Sequence, residues 1–397
     1  MSMRFLDQMN IKGKRLLIRV DYNVPIKNGT VQDDTRIKGS LETIQYCLDK
    51  GAVLVLCSHL GKPKGKPDQA FSLKPAAQRL SELIGRKVQM APDCVGPEVE
   101  KMVQALKPGD VLLLENLRFH EGETKNDPQF SAALAKMGEI FVNDAFGTAH
   151  RAHASMVGVT KHISQCCAGF LLKKEWEYIG ENLGEPQRPY VAISGGAKVS
   201  SKLAVLYRLL SQVDALVIGG AMANTFLLAQ GYSVGKSLVE SDLLDEARKI
   251  MNEAKTRGVE LHLPTDVVLG HGLDDKHSTG TADVNSIPGD AMVLDIGPKT
   301  REQYAKAVAK AKTVMWNGPM GAFENPAFAE GSIALAKAVA GLTDALTVVG
   351  GGDTDALVHK TGMADKFSFI STGGGSFMEF LEGKELPAFA ALQECGR

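Results

Sequence analysis

The 397-residue sequence has no hydrophobic run long enough to cross a membrane. Apolar stretches such as residues 52–57 and 111–114 span about half a dozen residues, whereas a membrane-spanning helix needs about 20. The first ten residues include Arg4 and Asp7 and lead directly into a predicted strand, which is unlike a signal peptide. We therefore expect a cytoplasmic protein that does not contact membranes.

Excess charge of one sign and cysteine motifs are also lacking. The net charge is −1, so no basic field would attract DNA or RNA, and we expect no nucleic-acid partner. The six cysteines form no C-x-x-C motif, and in a chain without an export signal we expect free thiols. His150 and His153 have no further cysteine or histidine nearby to complete a zinc set, and Arg151 between them would repel a cation.

The chain is too long for one core, since single cores stop growing near about 250–300 residues. Short apolar runs alternate with segments of helical period, such as residues 131–137, 200–210, 242–256 and 330–340. This alternation is typical of βαβ units and parallel sheets. The ten predicted strands are residues 15–20, 52–57, 111–114, 140–142, 190–193, 215–218, 259–263, 313–316, 346–349 and 367–370.

These strands form two blocks, which predicts an α/β protein with two doubly wound, Rossmann-like parallel-sheet domains that hinge about a connecting helix. We expect a basic N-terminal domain at residues 1–170, a helix and linker at 171–188, and a C-terminal domain at 189–379. Residues from about 380 to 397 contain no further βα unit, so we expect them to pack back on the first domain.

In the first half, the segment after each strand supplies basic side chains or histidines, at the sheet edge where doubly wound folds bind ligands. Residues 1–180 hold 25 Lys and Arg against 20 Asp and Glu. Such a set predicts a site for a small, highly anionic phosphate compound held by guanidinium groups.

In the second half, the strand ends are rich in glycine instead. Glycine lets backbone N–H groups approach phosphates, and the start of a following helix adds partial positive charge. We expect Lys198 and Lys202 to share one face of the first such helix, and Asp353 with Thr354 is a carboxylate–hydroxyl pair suited to nucleotide-bound Mg²⁺. Residues 231–237 resemble a P-loop, but they lack one residue between the glycines and follow a helix-like stretch instead of a strand. We therefore do not expect a P-loop there.

Together these segments resemble the phosphoglycerate kinase family over essentially the whole chain. In the first half the motifs are R-V-D-Y-N-V-P at residues 19–25, S-H-L-G at 58–61, L-R-F-H at 117–120 and H-R-A-H at 150–153. In the second half they are G-G-A-K-V at 195–199, W-N-G-P-M-G-A-F-E at 316–324, G-G-G-D-T at 350–354 and S-T-G-G-G at 371–375.

The resemblance implies reversible transfer of the acyl phosphate of 1,3-bisphosphoglycerate to Mg-ADP, giving 3-phosphoglycerate and Mg-ATP, in glycolysis and gluconeogenesis. It implies direct in-line transfer after domain closure by a monomer. The implied substrate-binding residues are Asp21, Asn23, Arg36, His59, Leu60, Gly61, Lys62, Arg118 and Arg151. The implied nucleotide-binding residues are Gly196, Lys202, Gly220, Asn317, Glu324, Gly350, Gly351, Gly352, Asp353 and Thr354, with Asp353 as the Mg²⁺ ligand. The implied catalytic residues are Arg36, Lys198, Gly373 and Gly374.

The sequence departs from the family pattern in two places. Lys62 stands where the family usually has arginine. Lysine keeps the positive charge but lacks the paired donors of a guanidinium group, so we expect a weaker or water-mediated substrate contact. Ser376-Phe377-Met378 stands where the family has A-S-L, which leaves the packing of the helix behind the glycines open.

The residues themselves fit this chemistry. A carboxylate acceptor is ionised at neutral pH and needs no general base, which agrees with the absence of a clear nucleophile–base pair in the sequence. Two alternatives remain: another ATP-dependent enzyme that forms an acyl phosphate, which should have a third substrate pocket, and a non-catalytic module that binds anions or nucleotides.

Overall fold

The computed structural model describes residues 3–395, which form two compact units. The first unit contains residues 3–177 together with 385–395, and the second contains Tyr178–Lys384. The division between residues 177 and 178 falls inside the segment predicted to connect the two domains. No helix in residues 3–395 is both long and apolar enough to cross a membrane.

A six-stranded parallel sheet is the centre of the first unit, because its apolar runs are buried on both faces. The strands of this unit are β1 (Arg15–Val20), β2 (Ile26–Lys27), β3 (Thr30–Val31), β4 (Val53–Cys57), β5 (Val88–Met90), β6 (Val111–Leu113), β7 (Ile140–Asp144) and β8 (Cys166–Ala168). The sheet order is β5-β6-β4-β1-β7-β8, with all neighbours parallel. Strands β2 and β3 form a separate hairpin, whose turn residues Asn28 and Gly29 both have positive φ.

Helices cover this sheet. They are α1 (Thr35–Gly39), α2 (Leu41–Asp49), α3 (Lys74–Ile84), α4 (Pro97–Ala105), α5 (Glu121–Lys125), α6 (Pro128–Ala135) and α7 (Phe170–Glu175). Asp127 caps α6 by accepting a hydrogen bond from the amide of Phe130 at 2.8 Å, and Gly85 ends α3 at φ +62°. Leu16, Ile18 and Leu54 from the sheet pack with Ile44 and Leu80 from α2 and α3 in one buried core.

The second unit repeats this plan and adds a smaller sheet. Its strands are β9 (Tyr190–Ser194), β10 (Ala215–Ile218), β11 (Glu260–His262), β12 (Asp266–Gly270), β13 (Gly280–Asp283), β14 (Met292–Ile296), β15 (Thr313–Asn317), β16 (Leu346–Val349) and β17 (Phe369–Ile370). The main sheet has the order β11-β10-β9-β15-β16-β17 and is parallel throughout, whereas β13-β12-β14 is antiparallel.

The helices of the second unit are α8 (Leu203–Leu210), α9 (Met222–Ala229), α10 (Leu244–Arg257), α11 (Pro298–Val308), α12 (Glu330–Ala340), α13 (Gly352–Lys360) and α14 (Gly374–Leu381), preceded by a π-helix at Trp176–Asn182. Single 3₁₀ turns lie at Leu6–Gln8, Gln69–Phe71, Leu117–Phe119, Phe146–Thr148, Gly158–Lys161, Ser241–Leu243, Pro326–Phe328 and Ala364–Lys366.

The C-terminal segment belongs to the first unit through helix α15 (Pro387–Glu394). The Phe389 ring packs on Trp176 and Phe146, with ring centroids 5.0 and 6.1 Å away. Cys395, just beyond α15, forms a disulfide with Cys166 in β8. The prediction of free thiols is therefore wrong for this pair, because the fold brings together two cysteines 229 residues apart in sequence. The other cysteines, Cys47, Cys57, Cys94 and Cys167, are free and buried.

All ten predicted strands are present, with ends that differ by no more than two residues. Two expectations about helices need correction. Helix α8 begins at Leu203, so Lys198 and Lys202 lie in the preceding loop and turn and not on one helix face. The helix predicted within residues 171–188 is α7 followed by the π-helix, so its hydrogen-bond pattern changes at Trp176.

Candidate active site

The basic residues of the first unit meet at one edge of its sheet. Strands β6, β4, β1 and β7 are neighbours and parallel, so their carboxyl ends lie side by side. Arg118, His59, Asp21 and Arg151 follow these four strands, and Arg36 comes from α1. We call Arg19, Arg36, Arg118 and Arg151 the arginine cluster.

The predicted substrate residues around β1 and β4 are tied to one another. Asp21 Oδ2 accepts a hydrogen bond from Arg36 Nη1 at 3.0 Å, and Asp21 Oδ1 accepts one from the amide of Asn23 at 3.2 Å. Asn23 Oδ1 in turn accepts from the amide of Gly61 at 2.9 Å. Arg118 Nη1 donates to the carbonyl of Gly61 at 2.7 Å. Three separate loops are thereby fixed in one arrangement before any ligand binds.

The electrostatics of this edge show that its cations crowd together. Burial lowers the pKa of His59 well below its usual value, and Arg19, Arg118, Arg36 and Arg151 lower it further. Burial, Arg151 and Arg19 lower the pKa of Arg118 to about 10. Like charges held this close favour an anion, because an anion offsets their mutual repulsion.

His153 experiences the same field. Burial lowers its pKa to about 4, with added contributions from Arg118, Arg151 and Arg19. The three arginines near His153 would repel a metal cation and attract an anion. The buried Nε of Arg118 has no hydrogen-bond partner in the described part of the chain, so a donor remains for a ligand.

Sequence reasoning missed two residues that support this edge. The Asn116 amide accepts hydrogen bonds from the amides of Leu60 and Arg118, at 3.1 and 3.0 Å, and donates to the carbonyls of Leu60 and Phe71, at 2.7 and 2.9 Å. Arg19 is wholly buried in β1. Arg19 opens one motif and Asn116 directly precedes another, but nothing in the sequence distinguished a buried structural role from a surface one.

Lys62 is exposed and lines a cavity of about 470 Å³. Lys64, Arg118, His120, Lys125 and Arg151 also line this cavity. Lys62 therefore shares a space with two members of the arginine cluster. The cavity carries several cations, so it suits an anion rather than an apolar ligand.

In the second unit, five glycine-containing loops follow five neighbouring strands: β10, β9, β15, β16 and β17. Hydrogen bonds join these loops directly. The amides of Gly195 and Gly196 donate to the carbonyls of Asn317 and Pro319, both at 3.0 Å, and the amide of Gly220 donates to the carbonyl of Met320 at 2.9 Å. We call these five loops the glycine edge.

Gly220 shows why the glycine edge needs glycine. Its φ is +69°, which side chains rarely adopt, and an added Cβ would lie 2.5 Å from the backbone nitrogen of Gly196. Any side chain at Gly220 would therefore separate the loops after β9 and β10.

Asn317 joins the centre of the glycine edge to Lys202. The side chain of Asn317 donates to the carbonyl of Gly350 at 2.7 Å, and Lys202 Nζ donates to both the carbonyl and Oδ1 of Asn317, at 2.7 and 2.5 Å. Burial lowers the pKa of Lys202 to about 7, while the charge of Asp353 opposes this shift. The surroundings of Lys202 therefore disfavour its charged form, and a bound phosphate would stabilise that form.

The other predicted residues of this edge differ in exposure. Lys198, Glu324 and Asp353 are exposed. Thr354 is buried, and its hydroxyl accepts a hydrogen bond from the amide of Gly318 at 2.7 Å. Thr354 therefore fixes the loop after β15, whereas the Asp353 carboxylate at the start of α13 is available to solvent.

Helices α13 and α14 begin next to each other. An added Cβ on Gly374 would lie 3.6 Å from the backbone nitrogen of Gly352, and Gly373 is the N-cap of α14. Phe377, one of the residues that differ from the family pattern, packs behind them. Its ring is buried against Gly350 and would collide with any side chain there. The helix carrying the unusual residues is thus packed on the preceding glycine turn.

Among residues 3–395, Asp93, Cys94 and His120 form the one group of acidic, cysteine and histidine side chains close enough to share a metal ion. They already satisfy one another: His120 Nε2 lies 2.7 Å from Asp93 Oδ1, which also accepts from the Cys94 amide at 2.6 Å. Burial and Asp93 raise the pKa of the Cys94 thiol well above its usual value, so this sulfur is poorly prepared to ligate a metal.

Comparisons with known proteins agree with this geometry. The sequence model of the family described as phosphoglycerate kinase matches residues 6–384. A phosphoglycerate kinase of Maridesulfovibrio salexigens is 56% identical over 396 residues, covering 99% of this chain and all of that protein. One from Chloroherpeton thalassium is 55% identical over 394 residues, covering 99% of each.

Solved structures of the family have the same fold. The structure of phosphoglycerate kinase from Coxiella burnetii superimposes with a TM-score of 0.92 at 42% identity and covers both chains fully. That from Pyrococcus horikoshii gives 0.84 at 33% identity over 98% of each chain. Since the sequence match, the relatives and the fold agree over nearly the full length, the chain belongs to the phosphoglycerate kinase family.

Proposed function

We propose that this chain transfers the acyl phosphate of 1,3-bisphosphoglycerate to Mg-ADP, reversibly, to give 3-phosphoglycerate and Mg-ATP. The chain's family and its relatives' names make it a phosphotransferase of this kind. The observation that carries the assignment of the sites is the convergence of Arg36, Arg118 and Arg151 at one edge of the first sheet. Burial first, and the neighbouring arginines second, lower the pKa values of Arg118 and His59, as expected where an anion is to be bound.

Three members of the arginine cluster, Arg36, Arg118 and Arg151, would bind the phosphoglycerate. Arg118 offers a buried donor that has no partner within residues 3–395, and Arg36 is oriented by Asp21 at 3.0 Å. Guanidinium groups bind carboxylates and phosphates through paired hydrogen bonds, and 3-phosphoglycerate contains both groups. Asn23, His59, Leu60, Gly61 and Lys62 would complete this site.

The glycine edge would bind the nucleotide. No described atom lies within 4 Å of an added Cβ on Gly352, so a phosphate could approach the backbone at that position. Helices α13 and α14 begin at this edge with partial positive charge. Lys202 would pair with a phosphate, and Gly196, Gly220, Asn317, Glu324 and Gly350–Thr354 would form the rest of the pocket.

The residues present fit a magnesium ion carried by the nucleotide. Mg²⁺ prefers oxygen ligands and usually binds through one or two carboxylates plus substrate phosphates. Asp353 is an exposed carboxylate beside the glycine turn, so it would hold the ion. The bound ion would offset the negative charge on the phosphate oxygens.

The chemistry needs positioning and charge neutralisation more than proton transfer. The acceptor in the reverse reaction is a carboxylate, which is already ionised, so no general base is required. Arg36 and Lys198 would neutralise charge on the transferring phosphoryl group, and the amides at Gly373 and Gly374 would bind its oxygens. Because the two substrates are assigned to different units, we further propose that the units close before in-line transfer, which would keep water away from the acyl phosphate.

A coupled assay tests the proposal. Purified protein is supplied with ATP, Mg²⁺ and 3-phosphoglycerate, and formation of the acyl phosphate is followed as NADH oxidation by a coupling dehydrogenase. We expect turnover that requires all three components. Other small carboxylates serve as competing acceptors, tested by hydroxylamine trapping of any acyl phosphate formed.

Two variants sharpen this assay. Arg118→Gln should remove most 3-phosphoglycerate-dependent turnover, whereas Arg86→Gln, an exposed arginine outside the cluster in the same unit, should not. Preference for another carboxylate would make the chain a different acyl-phosphate-forming enzyme. Binding of both ligands without turnover would make it a non-catalytic module.

A further inference from the structure

Arg19 is a buried charge with no place in the predicted substrate set. It lies in β1 with 0% of its surface exposed. Its Nε donates to Ser155 Oγ at 2.9 Å, its Nη1 donates to the carbonyl of Val20, and its Nη2 lies 3.1 Å from His59 Nδ1. A buried guanidinium costs much solvation energy, so its contacts need an explanation.

Its charge is balanced through a hydroxyl. Ser155 Oγ donates to Glu123 Oε1 at 2.6 Å, and the Ser155 amide donates to Glu123 Oε2 at 3.0 Å. Glu123 is also 0% exposed. Ser155 therefore accepts from Arg19 and donates to Glu123, so a buried cation and a buried anion are joined by one hydroxyl. This arrangement holds the guanidinium in one orientation.

The contact with His59 fixes where that ring carries its proton. Arginine has donors only, so the hydrogen bond from Arg19 Nη2 requires a lone pair on His59 Nδ1. A neutral imidazole has one protonated nitrogen, which must then be Nε2. The competing partner, Asp21 Oδ1, lies 3.9 Å from Nδ1, which is too far for a hydrogen bond that would favour the other tautomer.

We propose that Arg19 is a positioning residue that holds His59 as the Nε2–H tautomer, so that the ring donates a hydrogen bond to the anionic substrate. The proposal rests on the assignment of the arginine cluster to phosphoglycerate. It explains how an uncharged histidine contributes among cations: the ring adds a directed donor without adding to their repulsion. The opposite tautomer would present a lone pair at Nε2 to an anion.

The direct test is nuclear magnetic resonance of the ring nitrogens in ¹⁵N-histidine-labelled full-length protein, without substrate. The His59 signals are assigned by their loss in His59→Gln. We expect a proton on Nε2 and a lone pair on Nδ1 at neutral pH. An Nδ1–H tautomer or a doubly protonated ring overturns the proposal, whatever the enzyme's activity.

The functional test is a double-mutant cycle. Arg19→Lys keeps the charge but lacks the fork that reaches both Ser155 and His59, and we expect about a 10-fold higher KM for 3-phosphoglycerate, typical of one lost hydrogen bond. In His59→Gln, the further change Arg19→Lys should cost little, because its effect acts through the ring. Losses that multiply independently overturn the proposal and indicate a merely structural role.

Arg15→Lys is the matched control, since it makes the same change at the opposite end of β1. It should leave both the His59 tautomer and KM unchanged. If Arg19→Lys does not fold, the wild-type spectrum still decides the tautomer. Failure of the proposed function is distinguishable, because wild-type protein would then lack turnover with 3-phosphoglycerate even with the expected tautomer.

Discussion

Nucleotide binding should take up a proton at Lys202 above neutral pH. Burial lowers the pKa of this amine to about 7 in the unliganded protein. If a nucleotide phosphate pairs with Lys202, its negative charge favours the ammonium form and returns the pKa toward the usual value of about 10.4. Between these two values the complex holds a proton that the free protein lacks.

The sign and size follow from linkage. At pH 8 the free protein holds about 0.1 proton on Lys202 and the complex about one, so binding should take up about 0.9 proton. At pH 6 both states are protonated and uptake should fall to about 0.1. Affinity must weaken as pH rises through this range, by about 50-fold between pH 7 and pH 9. The same shift should make the unliganded protein more stable as pH rises from 7 to 10, because the unfolded chain then binds more protons.

Calorimetry of Mg-ADP binding in buffers with different ionisation enthalpies measures this proton uptake. The nucleotide phosphates add little to the proton uptake at pH 8, since their last pKa is about 6. Lys202→Arg should abolish the uptake because arginine does not titrate here, while Lys255→Arg in α10 should leave it intact. Uptake near zero in the wild-type protein at pH 8 would refute the argument that a phosphate pairs with a buried, mostly neutral amine.

Four further outcomes are expected. Arg36→Ala should lower kcat by about 10³-fold in the coupled assay, and a raised KM with normal kcat would assign Arg36 to substrate binding alone. Asp353→Ala should weaken the Mg²⁺ dependence of turnover while calorimetry finds 3-phosphoglycerate binding retained; loss of that binding would contradict the separate sites. Gly374→Val should reduce kcat more than nucleotide affinity, whereas equal losses would place this turn in the ordinary nucleotide pocket. X-ray scattering should give a smaller radius of gyration with both substrates than with either alone, and an unchanged radius would exclude closure.

The sequence predicts the two parallel sheets well because their strands are short, apolar and regularly spaced. Strand β1 is one example, since its predicted and observed ends coincide at Arg15 and Val20. Buried strands leave a continuous apolar run that differs from the helices on either side. The candidate site follows from the same pattern, since parallel strands bring the residues after them to one edge.

Some elements that were not predicted left no such signal. Strand β13 (Gly280–Asp283) is mostly exposed, so it has no apolar pattern to detect. Strand β8 contains Cys166, Cys167 and Ala168, which are small and include no β-branched or aromatic residue typical of strands. The disulfide between Cys166 and Cys395 depends on the return of α15 to the first unit, and spacing along the chain carries no information about that contact.

The start of α8 shows a different limit. The segment before it has residues of helical spacing, which predicted that Lys198 and Lys202 share a helix face. In the structure the turn before Leu203 lets Lys202 reach Asn317, at 2.7 Å from its carbonyl. This contact is made with the end of β15, 115 residues away in sequence, so local helical spacing carries no information about it.

Phe377 illustrates how a departure from a family motif can be accommodated without loss of the site. A larger side chain at this position requires space, and the structure supplies it at Gly350, where the ring fills the volume that a side chain would occupy. The glycine turn is therefore fixed from behind by Phe377, while its other contacts, with Asn317 and the start of α14, keep the arrangement of the glycine edge. Glycine at position 350 thus serves packing, and counting glycines in the sequence cannot distinguish this role from ligand approach.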